Sequence, residues 1–305
     1  MNRSVARLIF VHMTTVATKF SLTFPKKRGK HLIFSLPQTN HYHKISNLIL
    51  APSGCKTIVD KRWGNKLALF TLNDVIKEIK ITFQYNPNSI KRNIDVNYKI
   101  NDYKKSFLEQ HRFLLSPNRF INGEDVSLKR LSESIISGEK NLMNIINRFY
   151  RFTLDYLNYG KPIEGLYTYK QAMEERITDC GGFSTFLISF LNSINIPARL
   201  VVGYIIKINR WQNLIPSNYQ LTINNLLIHS WLEVLLPDDT WFPLDPSIDW
   251  RRRRGLTERK GGFGYTPADR LVTSFGCDFK ININNKNYQI DLLQNPVYLD
   301  CNNRP

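Results

Sequence analysis

The stretch that decides the fold is Thr178-Asp179-Cys180-Gly181-Gly182-Phe183, and an apolar run from 184 to 191 follows it directly. Thr178 or Asp179 can cap a helix that starts at the cysteine, because either side chain can accept hydrogen bonds from unpaired backbone N–H groups. The positive end of the helix dipole then favours the thiolate form of Cys180. The two glycines that follow are poor helix formers, so their position indicates that another group approaches the backbone beside the sulfur. We predict that Cys180 is a nucleophile in the first turn of a central, buried helix.

A single cysteine does not establish a reactive site, because free cysteines are commonly buried and inert. The sequence adds a histidine, since His229 is the only one after position 111. It lies in 227–236, where the residues alternate as in a half-buried strand. Pro237-Asp238-Asp239 then marks a turn, and 240–246 is typical of a returning strand. This pattern predicts a hairpin that presents His229.

The length of the hairpin loop decides which side chains share a face. A three-residue loop pairs Leu236 with Thr240 and places Asp245 opposite Trp231. Because side chains alternate along a strand, His229, Trp231 and Asp245 then lie on one face, with the histidine diagonal to the aspartate. A four-residue loop would put the two on opposite faces unless a bulge restored the register. With the shorter loop, we expect Asp245 to hold His229.

Four motifs follow one another along the chain. They are Cys180-Gly181-Gly182, Ile196-Pro197-Ala198-Arg199 leading into Val201-Val202-Gly203-Tyr204, His229-x-Trp231-x-Glu233 and Trp241-x-Pro243-x-Asp245-Pro246. Together they resemble the transglutaminase-like superfamily of papain-like thiol enzymes, with motifs over about 105–275. The resemblance implies a catalytic triad of Cys180, His229 and Asp245. Gly181 stands where animal transglutaminases carry Trp, so a protein-crosslinking role does not carry over.

The short strands and the resemblance imply an α+β fold with two domains. Asp60-Lys61-Arg62-Trp63-Gly64-Asn65 and the strands around it resemble the β-domain that precedes the core in bacterial members. We predict a disordered or weakly targeting-like N-terminus at 1–16, an antiparallel β-sandwich-like domain at 17–104 and a catalytic domain at 105–305 with C-terminal strands. In the transglutaminase-like (papain-like) core, a central helix is expected to pack on an antiparallel sheet.

Turn residues divide the chain into predicted strands and helices. The strands of the first domain are predicted at 19–24, 31–36, 47–50, 66–72, 76–85 and 95–100. Helices are predicted over 126–138, from 142 to about 160 and over 170–176, and two final strands at 279–283 and 287–292 are expected to complete the catalytic sheet. The segment 204–226 is expected to form a loop or β-excursion that shapes the substrate groove.

Acyl transfer also needs hydrogen-bond donors for the oxyanion. The backbone N–H of Cys180 is one candidate, because it lies at the start of a helix. In this superfamily a second donor usually comes from an upstream residue. Tyr167 or Tyr169 is the candidate here, with buried packing as the alternative for each. Gly181 and Trp231 are expected to line the site.

The basic composition of the chain indicates which classes of partner it can bind. The formal net charge is +17, from 42 Lys and Arg against 25 Asp and Glu, and Arg251 to Arg254 follow in succession. A basic run is usually a solvated loop, and no nucleic-acid-binding motif accompanies it, so we expect no specific nucleic-acid binding. A protein or peptide substrate, acidic or cell-wall-like, suits a basic rim better. No apolar run is long enough to span a membrane.

The number and spacing of the cysteines indicate the cell compartment in which the protein is expected. They lie at 55, 180, 277 and 301, without metal-clip or short-loop spacing. We therefore expect a reduced, cytoplasmic protein without metal or cofactor, with export as the alternative because Arg3 and Arg7 precede a short apolar stretch. His41 and His43 have no evident third ligand, and we expect an exposed strand edge or loop there.

The predicted chemistry is thiol-based acyl transfer on an amide or peptide bond. Cys180 attacks the carbonyl carbon, His229 carries the proton, and Asp245 fixes the imidazole. With water as the acceptor, the protein is a cysteine peptidase or amidase, which we favour because nothing marks an amine site. An amine acceptor would make it a transglutaminase. A non-catalytic peptide-binding module on the same scaffold is the third alternative.

Overall fold

The computed structural model describes residues 18–25, 30–73, 76, 78–92, 97–206 and 226–300. Contacts divide these residues into two units. The first comprises Ile90–Val201 and Ser230–Pro267, and the second comprises the described residues before 90, Val202–His229 and those from Ala268 onward. The predicted N-terminal segment 1–16 lies outside the described residues.

The bounds of the elements are as follows. The helices are α1 (Lys105–Gln110), α2 (Arg112–Leu115), α3 (Val126–Ile136), α4 (Leu142–Tyr156), α5 (Tyr169–Glu175), α6 (Cys180–Ser193) and α7 (Pro246–Arg253), with a 3-10 turn at Ile100–Asp102. The strands are β1 (Thr18–Pro25), β2 (His31–Ser35), β3 (His43–Ala51), β4 (Lys56–Val59), β5 (Lys66–Thr71), β6 (Glu78–Pro87), β7 (Ile90–Lys91), β8 (Asn158–Tyr159), β9 (Ile177–Thr178), β10 (Ala198–Ile206), β11 (Leu226–Leu235), β12 (Trp241–Leu244), β13 (Tyr265–Thr266), β14 (Arg270–Phe275), β15 (Phe279–Ile283), β16 (Lys286–Ile290) and β17 (Val297–Leu299).

Helix α6 forms the centre of the first unit. Every residue from Gly181 to Ser193 is buried, because the helix carries apolar or small side chains on all of its faces. Helices α3, α4, α5 and α7 pack around it. The rings of Phe186 and Phe190 lie 4.9 Å apart, centroid to centroid, and Phe190 lies 5.5 Å from Phe149 of α4. The prediction of a central, buried helix beginning at the cysteine is confirmed.

Helices α3 and α4 follow the predicted apolar spacing. The side chains of Asp125 and Asn141 cap them by accepting hydrogen bonds from backbone N–H groups of the first turn. Helix α3 ends where Ser137 takes a left-handed φ of 44°, and Gly138 follows with a φ of 74°. The predicted glycine stop is therefore preceded by one strained residue, and α4 ends at Tyr156, before the predicted end.

The hairpin of β11 and β12 has the predicted register. Its pairs are Leu232 with Leu244, Glu233 with Pro243, Val234 with Phe242 and Leu235 with Trp241. The N–H of Leu236 donates to the carbonyl of Thr240 at 2.8 Å, so the loop has three residues. Asp239 closes it with a φ of 63°. The ladder ends at Leu244, because the next residue, Asp245, is the N-cap of α7.

The second unit contains two antiparallel sheets that share a core. Their strand orders are β1-β6-β3 and β17-β2-β5-β4. Alternate residues of β6 are buried, and they join buried residues of β2 and β5 in one hydrophobic cluster. The members from these strands are Leu32, Phe34, Ala68, Phe70, Ile79, Ile81, Phe83 and Tyr85. The predicted sandwich-like arrangement is confirmed for these strands, and with it the α+β class.

The C-terminal strands differ from the prediction. β15 and β16 form a two-stranded sheet of their own, because Asn284 and Asn285 close a two-residue turn with positive φ at both positions. β17 pairs with β2. The strands expected to complete the catalytic sheet therefore belong to the second unit. The predicted borders 17–104 and 105–305 stay a prediction, and the contact-based units divide the chain differently.

Two further segments differ from the expected elements. The strand predicted at 95–100 lies partly outside the described residues, and its described end turns into the 3-10 turn at Ile100–Asp102. Strand β4 was not expected, because its residues are largely exposed and show no clear alternation.

Most of the predicted groove segment 204–226 lies outside the described residues. Within the part that is described, no helix is long and apolar enough to cross a membrane.

Candidate active site

Asp179 fixes the first turn of α6 and with it the position of Cys180. The Asp179 carboxylate accepts hydrogen bonds from the N–H groups of Gly181 at 2.9 Å and Gly182 at 3.2 Å, so Asp179 is the cap and Thr178 is not. Burial raises the pKa of this carboxyl group, against the opposite effect of the donated N–H groups. The cap does not use the N–H of Cys180, which is the first helical residue. Cys180 is half-buried.

The two glycines after Cys180 make room for the protein's own side chains. A Cβ at Gly182 would lie 1.8 Å from the hydroxyl oxygen of Thr178, which no real structure tolerates without a shift. A Cβ at Gly181 would lie 2.6 Å from Cδ1 of Leu166, the end of a flexible side chain. We expected another group to approach the backbone beside the sulfur. The groups that do so are the side chains of Leu166 and Thr178, which precede the helix.

Tyr159 is a neighbour of Cys180 that the sequence analysis missed. Strands β8 and β9 pair in parallel with Tyr159 opposite Thr178, so the tyrosine lies beside the turn that leads to the cysteine. Burial raises the pKa of Tyr159 to about 12, negative charge on Cys180 adds to the rise, and Arg251 opposes it. The Cζ atom of Arg251 in α7 lies 4.8 Å from the centroid of the Tyr159 ring. A two-residue strand is too short to show a period, so no local signal pointed to this tyrosine.

Asp245 lies where β12 ends and α7 begins. Its Oδ1 atom accepts hydrogen bonds from the backbone N–H of Ile248 at 3.2 Å and from the hydroxyl of Ser247 at 3.4 Å. Pro246 occupies the first helical position, which needs no N–H partner. Asp245 is only 2% exposed, and the Tyr150 hydroxyl donates to its backbone carbonyl at 3.3 Å. The carboxylate is therefore held in a defined, buried position.

His229 lies in β11 and is assigned to the second unit, whereas Cys180 and Asp245 are assigned to the first. The histidine is buried, with 4% exposure, and its backbone carbonyl accepts a hydrogen bond from the amide of Gln294 at 2.9 Å. Strand alternation places His229 on the same side of β11 as Trp231. The assembly of Cys180, His229 and Asp245 into a triad stays a prediction.

Glu233 and Trp231 are both fully buried. Nε of Arg199 donates to the Glu233 carboxylate at 2.9 Å, and its guanidinium lies 3.7 Å from the centroid of the Trp241 ring. A buried carboxylate is stable only with such a partner, so this pair ties β10 to β11. The expectation that Trp231 lines the site stays a prediction.

The hydroxyl groups of the two tyrosines expected near the oxyanion already have partners. Tyr167 donates to the carbonyl of Lys161 at 2.8 Å, and Tyr169 donates to the carboxylate of Asp125 at 2.8 Å. Both tyrosines are largely buried. These bonds agree with the packing alternative, and an oxyanion role for either tyrosine stays a prediction.

His43 is buried, which corrects the expectation of an exposed segment at 41–43. Its Nε2 accepts a hydrogen bond from the N–H of Val272 at 3.0 Å, and burial lowers its pKa to about 3. This imidazole is a neutral core residue of the second unit, because the bond from Val272 requires an unprotonated acceptor. Among the described residues, no group of three or more His, Cys, Asp or Glu side chains is placed to hold a metal ion.

Solved structures with a similar fold include a "Putative Cysteine Protease" from Cytophaga hutchinsonii. It is 14% identical to this chain with a TM-score of 0.55, over 86% of this chain and 82% of that chain. The periplasmic domain of TgpA from Pseudomonas aeruginosa is 15% identical with a TM-score of 0.38, over 76% of this chain and 75% of that chain. The first of these similarities establishes the fold.

Sequence comparison assigns the segment that holds the site. The "Uncharacterized protein YebA" of Bacillus subtilis (strain 168) is 36% identical over 75 residues, which are 24% of this chain and 10% of that protein. The match thus spans about a tenth of that relative's length. Residues 129–246 match the family model described as Transglutaminase-like superfamily. The resemblance predicted from the sequence is confirmed for this segment, which contains Cys180, His229 and Asp245.

Proposed function

We propose that this protein is a thiol-dependent acyl-transfer enzyme acting on amide or peptide bonds of a protein or peptide, with water as its acceptor, and hence a cysteine peptidase or amidase. The observation that carries the proposal is the position of Cys180. Cys180 is half-buried and stands at the first residue of a buried, capped helix, within the segment that matches the superfamily. Similarity to a structure described as a cysteine protease supports thiol chemistry.

The first half of the proposed reaction forms a thioester. His229 takes the thiol proton, the sulfur of Cys180 attacks the carbonyl carbon, and a C–S bond forms. The backbone N–H of Cys180 stabilises the oxyanion. His229 then returns the proton to the leaving nitrogen as the C–N bond breaks, while Asp245 keeps the imidazole in the required tautomer.

The second half consumes the thioester. His229 takes a proton from water, the resulting oxygen nucleophile attacks the thioester carbonyl, and the C–S bond breaks. The products are a carboxylic acid and the regenerated thiol, which recovers the proton from His229. A primary amine in place of water would yield a new amide, which is the transglutaminase outcome. We favour water because it is always available and nothing in the sequence marks an amine site.

Mass spectrometry of mixed peptides tests the proposal. We expect the wild type to cleave peptides, because the thioester reacts with water, and Cys180→Ser to leave them intact. A parallel incubation with a primary amine detects amide products if the amine is the acceptor. Both incubations report the reaction class directly from the product masses.

Cys55→Ser is the matched control. Cys55 is also a free, half-buried cysteine, but it lies in the second unit, outside the segment that matches the family. We expect this variant to retain the activity of the wild type. A wild type that yields neither product class across a broad peptide mixture would contradict the enzyme proposal and favour the non-catalytic peptide-binding module.

A further inference from the structure

The arginines at the end of α7 differ in whether they form an ion pair with a carboxylate. Arg252 and Arg253 both pair with the buried carboxylate of Asp249, at 2.7 and 3.1 Å. Arg251 forms no ion pair with a carboxylate of the described residues, and its guanidinium lies over the ring of Tyr159. Arg251 is partly exposed, so its charge is available to a ligand.

The ring beneath Arg251 borders the proposed nucleophile. Tyr159 pairs with Thr178, two residues before Cys180, and its ring lies 6.3 Å from the ring of Phe183, one turn after Cys180. Negative charge on Cys180 and the positive charge of Arg251 shift the pKa of Tyr159 in opposite directions, so both groups lie within electrostatic range of it. Arg251 is therefore a cation stacked on the tyrosine that lies beside the turn leading to Cys180.

The carboxylates near Tyr159 already serve other bonds. Asp179 accepts the N–H groups that start α6, and Asp245 accepts the N–H that starts α7. Neither is in ion-pair contact with Arg251. Both acids act on the pKa of Tyr159 through their charge, but no ion pair joins either of them to Arg251 among the described residues.

We propose that Arg251, held over the face of Tyr159, binds a carboxylate of the substrate close to the bond that Cys180 attacks and so selects acidic peptides. A guanidinium stacked on an aromatic ring keeps its N–H groups at its rim, where they can form a bidentate pair with a carboxylate. The carboxylate is an Asp or Glu side chain or a peptide C-terminus, which offer the same chemistry. The inference rests on the proposed function, because it assigns a subsite beside the same thiol.

Alkylation of Cys180 by iodoacetate and by iodoacetamide tests the subsite without a known substrate. Each reagent forms a C–S bond with loss of iodide, but only iodoacetate carries a carboxylate. We expect the rate with iodoacetate divided by the rate with iodoacetamide at Cys180 to fall about tenfold in Arg251→Gln, because a charge-assisted contact with the carboxylate is lost. In Arg251→Lys this ratio should recover in part. The ratio cancels any change in the reactivity of the thiol itself. Cys55 in the same sample provides the internal standard.

Arg254→Gln is the matched control. It removes the same charge from the same helix end, and Arg254 also stacks on a ring, 3.9 Å from the centroid of Trp250. We expect the ratio at Cys180 to stay at the wild-type value. Equal falls in both variants, or no fall in Arg251→Gln, would overturn the inference while leaving the proposed function intact. A Cys180 that reacts with neither reagent would overturn both.

Paired peptides separate the two sources of the carboxylate. The pairs carry Glu or Gln at an internal position, or a free or amidated C-terminus. We expect the wild type to prefer the charged member of one pair by about tenfold in kcat/KM and Arg251→Gln to show no preference. The pair that shows the preference identifies the source. Cleavage of both members of each pair at equal rates by the wild type would contradict the subsite, but not the hydrolase.

Discussion

Asp179 connects the turn before Cys180 with the helix after it through a single carboxylate. Replacing it with Ala removes the acceptor for the N–H groups of Gly181 and Gly182. We expect Asp179→Ala to lower the free energy of unfolding by about 1 kcal/mol and Asp179→Asn to lower it less, because the amide oxygen keeps the cap. Chemical denaturation measures both. Equal stability of the two variants would show that the cap does not stabilise α6.

His43 makes stability depend on pH in the second unit. Burial lowers its pKa from 6.5 to about 3, and the nearby His41 contributes in the same direction. The unfolded chain therefore binds a proton near pH 6.5 that the folded chain does not bind until about pH 3. The contribution of His43 to stability is fully present above pH 6.5 and is lost as the pH falls from there towards 3.

The slope of stability against pH measures this effect. Between these two pKa values one such group contributes a slope of about 1.4 kcal/mol per pH unit. We expect thermal or chemical denaturation to show a shallower acid dependence in His43→Gln than in the wild type, whatever the absolute stability of the variant. The same slope below pH 6.5 in both proteins would contradict a neutral buried His43.

Single residues differ in how far the sequence could identify them. Cys180 and Asp245 could be singled out because each stands in a local motif with a cap or turn beside it. Tyr159 and Arg251 could not, because the position of Tyr159 beside Thr178 depends on β8 returning beside β9, and the position of Arg251 over Tyr159 depends on the direction of α7. His43 was misjudged because Tyr42 and Lys44 beside it give no local sign of which face of the strand lies in a core.

At the level of elements, the start of α6 depends on an absent side chain at Gly182. A Cβ there would meet the hydroxyl oxygen of Thr178 at 1.8 Å and its Cβ at 2.9 Å. We expect Gly182→Ala to lower the free energy of unfolding by about 2 kcal/mol, because the first turn must shift. Gly181→Ala is the control, because its shortest contact, at 2.6 Å, is the flexible end of Leu166, and the next, at 3.1 Å, is Oδ1 of Asp179. Denaturation curves in which Gly181→Ala is the more damaging change would refute this packing.

The buried pair of Arg199 and Glu233 links β10 to β11. Glu233 is fully buried, and Arg199 donates to it at 2.9 Å. We expect Arg199→Met to cost about 3 kcal/mol of stability, because it removes the cation that pairs with a buried carboxylate. The double variant Arg199→Met/Glu233→Leu should recover most of the loss, and a double variant as unstable as the single one would contradict this explanation.

Local elements were predictable where the signal lies within a few residues. The register of β11 and β12 follows from a three-residue loop, and the structure has that loop. The place of the last strands could not be derived in this way. β17 pairs with β2, more than two hundred residues away, and no local pattern specifies such a partner.

For the whole molecule, the fold class and the resemblance to a superfamily could be predicted from the sequence, but the division of the chain into units could not. The motifs from Cys180 to Asp245 lie within 129–246, so the family could be recognised from local residues. The two contact-based units each take discontinuous segments, and composition shifts along the chain do not reveal such a partition. The net charge of +17 is equally uninformative by itself, since Arg252 and Arg253 share the carboxylate of Asp249.

The central claim is that Cys180 is a thiol activated by His229. The direct measurement is the rate of Cys180 alkylation by iodoacetamide across a pH series, in the wild type and in His229→Ala. Burial raises the pKa of the Cys55 thiol, which makes Cys55 a slow internal reference. We predict that Cys180 reacts faster than Cys55 at about pH 6 in the wild type and loses this advantage in His229→Ala. A Cys180 that reacts only above about pH 8, with the same pH profile in both proteins, would contradict the account.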